Sequence, residues 1–93
     1  MFIIGQIYAV YERIFNEDCR SVNQFKSTME RPRLLVPKLE CLARDCKSYK
    51  KYEDVLSNLY SKLEDIPMQP KSETKSDFVL GYAKQKNTLK KGD

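Results

Sequence analysis

The 93-residue sequence has no histidine, three glycines, four prolines and three cysteines. Each scarcity closes off a class of function. Without imidazole there is no Ser-His-Asp or Cys-His nucleophile. Zinc sites that use histidine are excluded too, and three cysteines without a CxxC spacing complete no metal set. The odd count of Cys19, Cys41 and Cys46 argues against a disulfide framework and for reduced thiols in a cytoplasmic setting. Few glycines and prolines disfavour a many-turned sheet and favour long helices. No glycine falls between Gly5 and Gly81, where a helix-turn-helix reader of DNA would want its tight turn. Long apolar runs are missing as well. The opening MFIIGQIYAVYERIF is interrupted at Glu12 and Arg13, short of the roughly 20 residues that span a bilayer, and it lacks the basic start of a signal peptide.

Motifs for catalysis are also absent: there is no P-loop, no HExxH and no GxSxG. The acid pairs Glu17-Asp18, Glu53-Asp54 and Glu64-Asp65 are adjacent in sequence, so on a helix the two carboxylates diverge and do not grip one metal. The chain reads as a non-enzyme with no cofactor and no metal.

What is present is helical periodicity. Ile3, Ile7, Val10 and Ile14 form one stripe of a first helix, and Ile4, Tyr8, Tyr11 and Phe15 form its neighbour. Its apolar face begins at once, without the Ser, Thr, Asp or Asn that usually caps a helix, as though the chain starts part-way through one. Asn16–Cys19 ends it. Ser21–Met29 carries Val22, Phe25 and Met29 at the spacing of a short helix, and Ser27–Glu30 reads as a capping box for the next one. Pro32 suits a first helical turn. Pro37 predicts a kink or a restart, with the main third helix running on from there. In Arg31–Lys47, Leu35, Leu39, Leu42, Ala43 and Cys46 share an inner face, and Arg33, Glu40, Arg44 and Lys47 the outer one. A helix over 49–64 has Ser48 as its cap and Tyr52, Val55, Leu56, Leu59, Tyr60 and Leu63 as its apolar side. Ile66-Pro67 closes it, and 65–74 forms a linker. A last helix over 73–89 places Phe78, Val79, Tyr82, Ala83, Lys86 and Leu89 inward, with Gly81 marking close approach of another backbone. The expected fold is all-α: a single domain, 1–93, forming a small antiparallel bundle of four main helices plus a short one.

The charge is unevenly placed. Residues 1–19 and 52–70 balance to −5, residues 20–51 to +6 and residues 71–93 to +3. A basic middle of this kind suits a polyanion. Arg33, Arg44 and Lys47 are the first candidates for phosphate contact, on a stripe about three turns or roughly 20 Å long. Lys50, Lys51, Lys84, Lys86, Lys90 and Lys91 extend it. Such contacts are salt-sensitive and indifferent to sequence. Tyr49 and Tyr52 lie near these lysines and offer rings for base stacking, although Tyr52 fits a core position better. The alternative reading is a free-standing helical adaptor that binds protein through an apolar groove, without nucleic acid.

Three stretches carry a resemblance. GQIYAVYERI at 5–14 resembles "G-R-L-x-A-V-L-E" near the end of the large subunit of type I-C CRISPR Cascade complexes. STMERPRLLVPKLECLAR at 27–44 resembles that region's "S-T-P-x-x-V-F-P-R-L-x-x-L-A-R", which also gives Pro37 a precedent. DFVLGYAKQK at 77–86 resembles its closing "F-x-L-G-Y-Y-H-Q-R", with Ala83-Lys84 in place of Tyr-His and Lys86 in place of Arg. The three occur in the family's order. In that family the C-terminal part of the large subunit is also made separately by internal translation, which would account for the uncapped start. The resemblance implies a non-catalytic small subunit of an antiviral surveillance complex, present in several copies beside the backbone and large subunits. It would stabilise the hybrid of guide RNA and target DNA and the displaced strand of the R-loop, with no membrane involved. Sequence would be read by base pairing while the protein grips backbone.

Overall fold

Helices account for the regular structure in the computed structural model, which describes residues 1–20, 22–64, 66 and 70–91, the side chains of 90 and 91 excepted. Five are formed: α1 (Phe2–Glu17), α2 (Phe25–Glu30), α3 (Pro32–Arg44), α4 (Tyr49–Lys62) and α5 (Ser72–Lys91). The described residues contain no strand. The all-α expectation therefore holds, with four long helices and one short one. The radius of gyration is 12.2 Å, about that of one compact domain of this length.

The organising element is α1. Its two apolar stripes merge into a face that leaves little of the helix to solvent: Ile4, Gly5, Ile7, Tyr8, Ala9, Val10, Tyr11, Ile14 and Phe15 are all buried. The other helices cover it. Against α1, α4 runs antiparallel, with Tyr60 beside Tyr11 and Lys51 beside Glu17. Both α3 and α5 follow α1 in the same sense: Tyr11 meets Glu40 and Asp18 meets Lys47, while Phe2 meets Gly81 and Gln6 meets Gln85. One continuous core results, including Leu39, Ala43 and Cys46 of the α3 end, Tyr52, Leu56 and Leu59 of α4, and Phe78 of α5.

The contact of α1 with α5 is close enough to bring backbone against backbone. A Cβ on Gly5 would run into the Phe78 carbonyl, and one on Gly81 into the Phe2 carbonyl. Each glycine admits the other helix's backbone, which explains why Gly81 is accepted mid-helix at about 1 kcal/mol of lost propensity.

The short α2 is held by rings. Phe25 lies 5.7 Å from Tyr8, 5.1 Å from Phe78 and 4.9 Å from Tyr82, edge to face in each case. The Tyr8 hydroxyl accepts from the Gln24 amide at 3.2 Å, at the N-cap of α2.

Several local expectations are corrected. Ser27 lies inside α2, where its carbonyl accepts from the Arg31 amide, so no capping box forms at 27–30. Helix α3 starts at Pro32 and continues through Pro37 without a restart. Pro37 is exposed, so the helical bond it forfeits lies on the outer side, where water reaches the freed carbonyl. The inner face of α3 is Leu35, Val36, Leu39, Ala43 and Cys46, and Leu42 is turned out to 39% exposure. Ser48 makes no side-chain cap to α4. On α5 the buried positions are Phe78, Gly81 and Gln85, while Val79, Ala83 and Lys86 face solvent. The helix is therefore rotated from the expected face, because Gly81 must sit against α1. Thr74, assigned to the linker, lies in α5. Ser21, Asp65, Pro67 and Gly92 lie outside the described residues.

Candidate nucleic-acid interface

The turn between α3 and α4 is built by a residue of α1. Helix α1 ends in a Schellman arrangement: the Arg20 amide donates to Phe15 and the Cys19 amide to Asn16, with Cys19 in the left-handed region at φ 58. This ending delivers the Asp18 carboxylate beneath the next turn. It accepts from the Lys47 amide at 2.7 Å, the Ser48 amide at 3.2 Å and the Ser48 hydroxyl at 2.7 Å. The Ser48 hydroxyl, with these amides, holds the Asp18 carboxyl below its ordinary range. Clamped from below, the turn buries Cys46 and leaves Asp45 and Lys47 exposed.

Lys47 of the turn stands between Arg44 at the end of α3 and Lys50 at the start of α4. Arg44, Lys47 and Lys50 border one cleft of about 590 Å³, together with Cys46, Tyr49 and Glu53. Lys47 and Lys50 are exposed, and neither makes an ion pair with a described residue. Arg44 donates from Nε to Glu40 at 2.9 Å and keeps 68% of its side chain exposed. Glu53 is the one acid among the residues that border the cleft.

Behind the cleft lies a second polar cluster. Glu40 accepts from the Tyr11 hydroxyl, from the Tyr49 hydroxyl at 2.7 Å and from Arg44, and the Tyr11 hydroxyl also bonds that of Tyr60. Burial works to raise the Glu40 carboxyl. The hydrogen bonds from Tyr11, Tyr49 and Arg44 prevail and hold it below its usual range. Burial, and then the Glu40 carboxylate, push the Tyr11 hydroxyl far above its ordinary value. Burial likewise pushes Tyr60 up to about 12. The outer-face assignment of Glu40 is thus replaced: it ties α1, α3 and α4 together and fixes Arg44 and Tyr49 at the cleft wall.

The remaining candidates are dispersed. Arg33 lies at the opposite end of α3, where its Nε donates to the Ile66 carbonyl at 2.9 Å. Lys51 turns to the other side of α4, 3.1 Å from Glu17 and 5.4 Å from the Tyr52 ring centroid. Lys84 lies over Phe2 at 5.6 Å. Lys86 sits over Tyr82 at 5.5 Å and 4.0 Å from Glu12. The side chains of Lys90 and Lys91 lie outside the described residues. Tyr52 is a core residue, its hydroxyl accepting from Arg13 at 3.3 Å. The expected 20 Å stripe is therefore a compact group of three cations at one helix junction.

Asp18 and Glu40 were not singled out as site-shaping residues by sequence. A signal for Glu40 existed: Tyr11 and Tyr49 lie on apolar faces, and a buried tyrosine hydroxyl needs a partner. Asp18 carried none, because its partners, two main-chain amides and the Ser48 hydroxyl, lie 29 and 30 residues away.

Among the described residues no helix is long and apolar enough to cross a membrane, and no group of three or more Cys, Asp or Glu is placed to hold a metal ion. Comparison with family models, curated proteins and solved structures finds no match to this chain.

Proposed function

We propose that this chain is a non-catalytic subunit that grips nucleic-acid backbone, and specifically a small subunit of a type I CRISPR Cascade complex. The observation that carries the reading is the convergence of Arg44, Lys47 and Lys50 on one cleft, over a turn clamped by Asp18. Exposed ammonium groups with no ion pair among the described residues, on and beside a fixed turn, suit phosphate contact, because little side-chain support has to be rearranged when the anion arrives. The ordered resemblance of 5–14, 27–44 and 77–86 to the Cascade large-subunit terminus supplies the particular assembly. In it the chain would contact the guide RNA, the target DNA and the backbone and large subunits, in the cytoplasm, and leave strand cutting to a recruited nuclease.

The test is charge reversal. The double substitution K47E/K50E is expected to weaken DNA binding by the assembled complex at least tenfold. It should also flatten the slope of log affinity against log salt by about 1.4 for a single strand or 1.8 for a duplex. Circular dichroism should stay helical, since neither side chain supports the core. Unchanged binding across the salt series would remove this face from consideration. By contrast, R33E should act mainly on stability, through the lost Ile66 contact.

A protein-binding adaptor is the second reading. It is favoured by Leu34 and Leu80, which stand 62% and 61% exposed. An adaptor would purify without guide RNA and bind its partner with little dependence on salt.

A further inference from the structure

On the other side of α4 from the basic cleft lies a second one, of about 580 Å³, between α4 and α5. Its walls include Val55, Leu59 and Leu89, and Gln6 and Gln85 contribute an amide pair from α1 and α5. Lys51 and Lys62 stand at its borders, 11 residues or roughly 16 Å apart along α4. Lys62 makes no ion pair with a described residue. The cleft thus has apolar sides, polar groups within, cations at either end and one acid, Asp54, in its lining.

The amide pair is unusual. Gln85 is 6% exposed, and its Oε1 accepts from Gln6 Nε2 at 3.2 Å. That bond leaves the Gln85 NH₂ and the Gln6 carbonyl oxygen without a hydrogen bond to another described residue. Both groups still reach solvent, because among the described residues the Thr28 hydroxyl is the one buried side-chain polar atom without a partner. A donor and an acceptor remain on the pair, the two kinds of group with which glutamine amides pair with a nucleobase edge. The volume lies within the range that encloses small flat ligands.

The two clefts flank the start of α4. Lys50 borders the basic cleft and Lys51 the amide cleft, and they are successive residues on the first turn of α4. Resting on the nucleic-acid reading above, we propose that the α4–α5 cleft takes one unstacked nucleobase of a single strand whose backbone crosses the start of α4. Gln85 and Gln6 hold the base edge, Val55, Leu59 and Leu89 cover its faces, and Lys50 and Lys62 meet the flanking phosphates. Single-strand recognition in general works through splayed bases of this kind.

The test compares two labelled 15-mers by fluorescence anisotropy with the full chain at low salt: oligothymidylate and an abasic strand of equal length and charge. The wild type is expected to bind the base-bearing strand about tenfold tighter, which corresponds to about 1.4 kcal/mol. Gln85→Met should erase that preference and leave abasic binding unchanged, whereas K47E/K50E should weaken binding of both strands. Equal wild-type affinity for the two strands overturns the base pocket and leaves the backbone-gripping reading intact. Failure to bind either strand overturns both. Should Gln85→Met unfold the chain, the side-chain amide resonances of wild-type Gln6 and Gln85 decide. They shift with oligothymidylate and stay still with the abasic strand if the pocket is used, and absence of a shift with oligothymidylate overturns it.

Discussion

Two residues carry local costs that a single substitution relieves. The Thr28 hydroxyl is fully buried and has no hydrogen-bond partner. Its methyl packs usefully, while its oxygen has been taken out of water for nothing. Thr28→Val keeps the shape and removes the oxygen, so it should stabilise the chain by about 1 kcal/mol, a rise of roughly 4–8 °C in melting temperature for a domain of this size. Thr28→Ser should do the reverse, because it keeps the hydroxyl and loses the methyl. Cys19 is the other case. Its left-handed backbone, at φ 58, strains any residue with a Cβ by roughly 1–2 kcal/mol. Cys19→Gly should recover about 0.5–1 kcal/mol of this after the added freedom of the unfolded chain is discounted. Urea titration of each variant against the wild type reads both effects.

At the scale of helices, the number and limits of the elements were largely legible in the sequence, and their rotation about their axes was not. Apolar spacing located α1, α3, α4 and α5, because burying a face imposes a period on the sequence. Orientation failed on α5, where Val79 and Ala83 continue an apolar stripe by residue type yet face solvent. What fixes that helix is a residue with no side chain: Gly81 must abut the Phe2 carbonyl, and this brings Gln85 inside. Gly5 is the partner signal, and it is hidden in an apolar run. The candidate site was half legible for a related reason. Arg44, Lys47 and Lys50 are close in sequence and came out close in space. Arg33 and Lys86 were placed by periodicity alone, and their hydrogen bond or ion pair drew them elsewhere. The glycine contact makes a direct prediction. In an open helix, Gly81→Ala gains about 1 kcal/mol of propensity. Here the new methyl meets backbone that no rotamer change can move, so overpacking of roughly 1–3 kcal/mol or more opposes it. Gly81→Ala and Gly5→Ala should each lower the urea midpoint, and helix separation should be visible as lost protection of α5 amides in hydrogen exchange. A gain in stability for either would contradict the close approach.

For the molecule as a whole, three depressed carboxylates, Glu17, Asp18 and Glu40, tie the helices together, which makes the fold acid-sensitive in a defined direction. Asp18 joins the end of α1 to the start of α4, and Glu40 joins α1, α3 and α4. All three titrate lower in the folded chain than in the unfolded one. The unfolded chain therefore takes up these protons first as the solution is acidified, and proton uptake favours unfolding. The stability they contribute is fully present above the unfolded values, about 3.9 for Asp and 4.3 for Glu. It is lost as pH falls through the lower folded values. Urea midpoints should accordingly be flat from neutral pH to about 5 and then drop steeply toward pH 2. Glu40→Gln separates the contributions. It replaces three charge-assisted bonds with weaker ones and leaves one amide face against donors, so it should destabilise the chain by roughly 1.5–3 kcal/mol at pH 7. The loss should shrink toward pH 2, where the wild-type carboxylate is itself protonated, and the residual acid slope should be that of Asp18, Glu17 and the other acids. A constant difference between Glu40→Gln and wild type from pH 7 to pH 2 would mean that the Glu40 charge is not what binds the three helices, and that its hydrogen-bonding shape alone suffices.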